Sequence, residues 1–174
     1  LLTLKIVKHF LYLFLLINLN CFGQNFHLKI AGDTERETKI IDSIGYKKKL
    51  QEEKLILSEL ENLTKKLQQI GYIENRISSL TKSNDTIYDV KYNLGKITDF
   101  VHIYIGKDNE LKVLVFEKEK DTVVIPFTKT ESFLNEGISI LEEKGYSLAK
   151  LQLVNFRKSG SNLICDLEIK TDQI

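Results

Sequence analysis

The chain has 174 residues, 43% hydrophobic and 28% charged, with a formal net charge of +1. That balance excludes a disordered or fibrous protein and leaves room for one domain or two small ones. A charge so close to zero is also poor material for gripping phosphate backbones, which is the work of clustered lysine and arginine, so nucleic acid is excluded as a partner.

The first segment, "LLTLKIVKHFLYLFLLINLNCFGQ", opens with Lys5 and Lys8, continues through an apolar run from Phe10 to Ile17 and ends near Cys21-Phe22-Gly23. Residues 1–23 therefore read as a cleaved secretory signal peptide. The apolar run is shorter than the roughly 20 residues a membrane-spanning helix needs. A lipid-attachment role for Cys21 finds no small residue in the preceding "INLN". If Cys21 leaves with the signal, Cys165 remains alone and no internal disulfide can form. Export without disulfides fits a bacterial envelope.

"NFHLKIAG" alternates Phe26, Leu28 and Ile30 and predicts a strand. Thr34 and Glu37 form a capping box for a short helix carrying Ile40, Ile41 and Ile44 and ending at Gly45. A second helix is predicted from about Lys47 to Ile70, with Leu60, Leu63, Leu67 and Ile70 as its apolar stripe. On it Lys48–Glu52 and Lys49–Glu53 are expected as i,i+4 pairs on a solvated face. Gly71 stands where that helix needs a left-handed exit.

Strands are then predicted in "IENRISSL", in "TIYDVKYNL", in "DFVHIYIG", and at 111–116 and 122–127. A helix from about Thr130 to Lys144 stops at Gly145, followed by strands in "YSLAKLQLVNF" and "LICDLEI". The order of elements thus recurs. At an offset of 74, Leu60, Leu67, Gly71-Tyr72, Arg76 and Ile77 meet Leu134, Leu141, Gly145-Tyr146, Lys150 and Leu151. One residue later, Tyr88, Val90, Tyr92 and Leu94 meet Leu163, Cys165, Leu167 and Ile169, which makes a tandem repeat of about 75 residues. The division is 24–105 for the first repeat and 106–174 for the second, with an inserted hairpin near the start of the second.

Catalytic and metal signatures are missing from the sequence. His9, His27 and His102 lie far apart, and Cys165 falls on the apolar side of its strand, which reads as packing. No phosphate loop, nucleophile elbow or zinc-protease motif occurs, so neither an enzyme nor a cofactor is expected.

Each repeat reads strand, helix or helices, Gly-Tyr, strand, turn, strand. That order, with "YNLGKITDFVHIYI" and "IPFTKTESFLNEGISILEEKGYSLAKLQL", resembles the POTRA (polypeptide-transport-associated) domain of BamA/TamA-type outer-membrane assembly proteins, particularly the Bacteroidetes members. The resemblance implies an α+β fold of two POTRA-like repeats, each a small three-stranded mixed sheet with helices on one face. It implies a periplasmic location, associated with the outer membrane through a C-terminal barrel outside these residues. The implied partners are unfolded outer-membrane proteins or assembly-machine subunits, bound by strand addition at the sheet edge after the Gly-Tyr turn. The candidate residues on those edges are Arg76 and Ile77 in the first repeat and Lys150, Leu151 and Leu153 in the second. A dedicated secretion-partner module, or a small exported α+β enzyme or ligand-binding domain, is the alternative.

Overall fold

The computed structural model describes residues 25–106 and 121–170. Leu28 and Ile30 point one way along the first strand, β1 (Phe26–Gly32), and are buried there. The expected capping box forms: the Glu37 N–H donates to the Thr34 hydroxyl, and the Glu37 carboxylate accepts from the Thr34 N–H. It starts α1 (Glu35–Ile44), which ends at Gly45.

Next comes a strand of only two residues, β2 (Lys49–Leu50), before α2 (Lys54–Gln69). The helix expected from Lys47 therefore begins seven residues later. Leu50 is drawn into the core and the Lys48 carbonyl accepts the Leu28 N–H, so the backbone here is committed to the sheet. The expected Lys48–Glu52 and Lys49–Glu53 pairs do not form: Glu52 pairs with Lys54, and Glu53 with Lys82.

An antiparallel hairpin, β3 (Arg76–Asn84) and β4 (Ile87–Asn93), completes a sheet of order β2-β1-β4-β3, with β1 and β4 parallel. Tyr88, Val90 and Tyr92 alternate onto the face that α1 and α2 cover through Ile41, Ile56, Leu60, Leu63 and Leu67.

The second sheet repeats this plan. It contains β5 (Phe100–Tyr104), β6 (Thr122–Pro126), β7 (Lys150–Ser159) and β8 (Asn162–Lys170) in the order β6-β5-β8-β7, with β5 parallel to β8. After one 3₁₀ turn, α3 (Thr130–Glu143) covers it through Leu134, Ile138 and Leu141.

Two expectations change. Among the described residues each sheet has four strands rather than three, because β2 and β6 add an antiparallel strand outside β1 and β5. Phe100–Tyr104, read from the sequence as the close of the first repeat, is the first strand of the second sheet, since its partners are β6 and β8. The expected signal segment and the hairpin-like insertion, including the strand at 111–116, lie outside the described residues.

Both Gly-Tyr exits take the same form. The Gly71 N–H donates to the Gln68 carbonyl and the Tyr72 N–H to the Leu67 carbonyl. Likewise, the Gly145 N–H donates to Glu142 and the Tyr146 N–H to Leu141. This is the Schellman pattern, and it holds the glycines at φ 103° and 95°.

Candidate functional site

The sheet edges are the candidate site, because an edge strand carries unpaired N–H and C=O groups. In the first sheet one side is sealed. The Tyr46 hydroxyl accepts the Ile30 N–H at 3.0 Å and the Thr38 hydroxyl accepts the Gly32 N–H at 2.9 Å. With the Lys48 carbonyl on the Leu28 N–H at 2.9 Å, the outer side of β1 is satisfied beyond the reach of β2. On the other side, β3 has β4 as its only strand neighbour among the described residues. Opening the sealed side has a predictable cost. Tyr46→Phe leaves the buried Ile30 N–H without its partner, an expected loss of about 1–3 kcal/mol. Urea denaturation of the variant measures it, and an unchanged midpoint would refute the sealing role.

In the second sheet β7 is the corresponding edge, paired among the described residues with β8 alone. The edges are basic and partly apolar. Arg76 and Lys150 are exposed, and so are Ile77, Leu80, Leu148 and Phe156. Of the residues singled out from the sequence, Leu151 is buried on the core face and Leu153 half-buried, so both anchor the strand to its own sheet. The structure does not bring the two sets together: Arg76 and Ile77 begin β3, whereas Lys150, Leu151 and Leu153 occupy the opposite end of β7 from the joint.

Both edges are kinked. Register shifts between Ile77 and Ser79 and between Lys82 and Asn84 put bulges into β3. Another, between Val154 and Arg157, bends β7 where Asn155 adopts φ 54°. Such bulges twist an edge and interrupt its pairing rhythm. Asn155 is a residue type that tolerates the left-handed region, but the sequence had no second cue to a bulge there.

The units meet at the first Gly-Tyr exit. The Thr98 N–H donates to the Gly71 carbonyl at 2.8 Å, and the Asp99 N–H to the Ser161 carbonyl at 2.8 Å. The Asp99 carbonyl in turn accepts the Phe127 N–H at 2.9 Å. Ile73 packs against the second core, and the Lys158 ammonium pairs with the Glu74 carboxylate. These bonds tie residues 71–74 of the first unit to the hairpin tip of the second.

Among solved structures, the chain matches POTRA domains 3–5 of BamA from Haemophilus influenzae, with a TM-score of 0.51 and 17% identity. The fold is the POTRA fold, present twice. That match covers 85% of this chain and 66% of the BamA structure, so the chain spans about two thirds of its length. A further match is POTRA domains 1–2 of the periplasmic domain of Omp85 from Anabaena, with a TM-score of 0.40, 9% identity and coverage of 82% and 92% of the two chains. No protein-family model and no curated protein matches the sequence.

Two carboxylates pin the open strand of the first POTRA unit. Asp33 accepts from the Asn93 amide and the Ser78 hydroxyl at 2.9 Å each, and these bonds hold its carboxyl below the ordinary value. Glu53 is lowered by the Tyr88 hydroxyl first and then by Lys82. Because both folded-state values are depressed, the stabilisation is present above the ordinary carboxylate range and is lost as the pH falls below about 4. Acidification is therefore expected to loosen β3 before β1. Amide exchange, corrected for its intrinsic pH dependence, should show Ser78–Lys82 losing protection first. Equal loss across the sheet would contradict this.

The chemistry of the remaining surface is bland. Cys165 is fully buried, and desolvation pushes its thiol up to about 11, the condition of an inert packing residue. A cleft of about 670 Å³ between α2 and α3 has Ile73, Phe127 and Leu134 in its lining and a single carboxylate, Glu131. His102 is not part of it. Among the described residues, no group of three or more His, Cys, Asp or Glu is placed to hold a metal ion, and no helix is long and apolar enough to cross a membrane.

Proposed function

We propose that this chain is a non-enzymatic periplasmic module of an outer-membrane-protein assembly machine. It docks unfolded client strands or a partner subunit by strand addition at β3 and β7. One observation carries the reading: the first sheet seals the outer side of β1 with Tyr46, Thr38 and Lys48, yet among the described residues leaves the whole length of β3 with a strand neighbour on one side only. Main-chain pairing makes little demand on guest sequence, which suits a binder of many unfolded chains. The export signal read in residues 1–23 and the POTRA fold support the periplasmic location.

The test is an extended peptide with alternating apolar residues, titrated against the protein and against Leu153→Pro. Binding is expected at micromolar to millimolar strength, on the order of −4 to −8 kcal/mol. It should be abolished when alternate peptide nitrogens are methylated, since methylation removes the donors and leaves the side chains. Undiminished binding of the methylated peptide would overturn strand addition.

A further inference from the structure

A second cavity lies on the α1 side of the joint, and neither β3 nor β7 lines it. Its volume is about 620 Å³, within the range of small-molecule sites. The two units build it together. Arg36 and Ile40 come from α1, Tyr72 from the first exit, Lys96 and Ile97 from the linker, and Ser161 from the hairpin tip of the second unit. Tyr72 is buried and Ile40 and Ile97 are half-buried, which makes one wall apolar. Arg36, Lys96 and Ser161 are exposed and bring hydrogen-bond donors to the same space. The carboxylates around the cavity are committed elsewhere. Glu35 pairs with Lys39 at 2.7 Å, Glu74 pairs with Lys158, and Asp33 accepts from Asn93 and Ser78. Glu37 lines the cavity, but its oxygens accept from the Thr34 N–H and hydroxyl and from the Leu94 N–H. Among the described residues, nothing pairs with Arg36, Lys96 or the Ser161 hydroxyl. Two free cations against one occupied carboxylate leave the lining with an excess of one positive charge.

We propose that this cavity binds a small anionic amphiphile, a molecule with one carboxylate or phosphate-ester group on a short apolar body. The planar Arg36 guanidinium receives two oxygens of the acid, as its fork geometry suits. Lys96 adds a point charge and the Ser161 hydroxyl a further donor. The apolar body lies against Ile40, Tyr72 and Ile97. An acid without that body leaves the apolar wall wet, and an uncharged molecule leaves the cations unpaired, so the site selects for both halves together. The occupant also acts on the joint. Ser161 belongs to the second unit, and its carbonyl already holds the Asp99 N–H of the linker. A ligand that touches Arg36 and Ser161 at once binds only where the two units are docked, and so it stabilises that arrangement. The site stands apart from strand addition and does not depend on it.

Hexanoate and hexyl phosphate are the probes, with hexanol and hexylamine as controls, titrated against the whole chain and followed by amide chemical shifts. Saturable shifts are expected at Arg36, Lys96, Ile97 and Ser161 with either acid, at about tenfold higher affinity than with hexanol, and none with hexylamine. Changing Arg36→Gln and Lys96→Gln together alters two exposed side chains that hold nothing in the fold. The double variant should weaken both acids about tenfold and leave hexanol as it was. Saturation with either acid should also slow amide exchange at Thr98 and Asp99. Equal affinity for hexanol and the acids, or acid binding that survives the double change, would overturn the anion site. Acid binding without slower exchange at the linker would overturn the action on the joint. Vesicles of an anionic phospholipid identify the source of the acid group. Retention on vesicles that the soluble acids reverse supports a lipid headgroup, and acid binding without retention supports a free amphiphile.

Discussion

Gly71→Ala is expected to destabilise the protein by about 2–5 kcal/mol, and the same change at Gly145 by only about 1–2 kcal/mol. Both glycines occupy the same Schellman position with nearly the same φ, 103° and 95°, so the conformational cost of an added Cβ is common to both. Their surroundings differ. A Cβ on Gly71 would fall 2.5 Å from the Thr98 carbonyl oxygen and 3.2 Å from Ile97, whereas one on Gly145 would meet nothing within 4 Å. The Thr98 oxygen belongs to the backbone, and its own residue's N–H is bonded to the Gly71 carbonyl, so it cannot swing aside as a side chain would. The excess cost at Gly71 therefore measures the seating of the linker on the first exit. Urea midpoints of the two variants give the comparison, and faster amide exchange at Thr98 in Gly71→Ala would localise the damage. Equal losses would mean that the linker does not rest there.

The two exits were legible in the sequence because their physics is local. A glycine after an apolar helical stripe, followed by an aromatic residue, is a stop signal whatever the rest of the chain does. The α1 capping box and the β4 alternation of Tyr88, Val90 and Tyr92 were legible for the same reason. The two-residue β2 was not. Lys49-Leu50 lies in a run of lysines that reads as helix surface, and only the distant β1 tells Leu50 to turn inward. The allegiance of β5 was also hidden. "FHLKIAG" and "FVHIYIG" share their Phe and Gly at the offset of 74, a cue that both open a unit. Yet the buried residues are Leu28 and Ile30 in one and Val101, Ile103 and Ile105 in the other, so the in–out pattern slips by one between copies. Edge status could be inferred only through the resemblance, because it depends on pairings across the whole unit. The seal on β1 had no sequence signal at all. Tyr46 and Thr38 are ordinary loop and helix residues until the fold aims their hydroxyls at Ile30 and Gly32.

Leu67→Ala and Leu141→Ala remove the same side chain from the same place in each copy, and unequal outcomes are expected. Both leucines are fully buried, and each supplies the carbonyl that accepts the following tyrosine N–H at the exit. Truncating a buried leucine costs about 2–5 kcal/mol, the larger values arising where the surroundings cannot collapse into the gap. In the first unit Leu67 lies among residues of two helices, with Ile41 from α1 and Ile56, Leu60 and Leu63 from α2 in the same core. In the second, among the described residues, α3 is the one covering helix, and Leu134 and Ile138 are only partly buried beside Leu141. A loss of that size exceeds what a core with a single covering helix can spare from a stability of about 5–15 kcal/mol divided between two small units. Leu141→Ala is therefore expected to unfold the second unit while the first stays native, whereas Leu67→Ala leaves both folded and lowers the midpoint of the first. Residue-resolved hydrogen exchange distinguishes these outcomes. Protection should vanish along β5, β7 and β8 and persist along β1 and β4 in Leu141→Ala. Loss of protection throughout both sheets would show instead that the joint at Gly71 makes the two units one cooperative block.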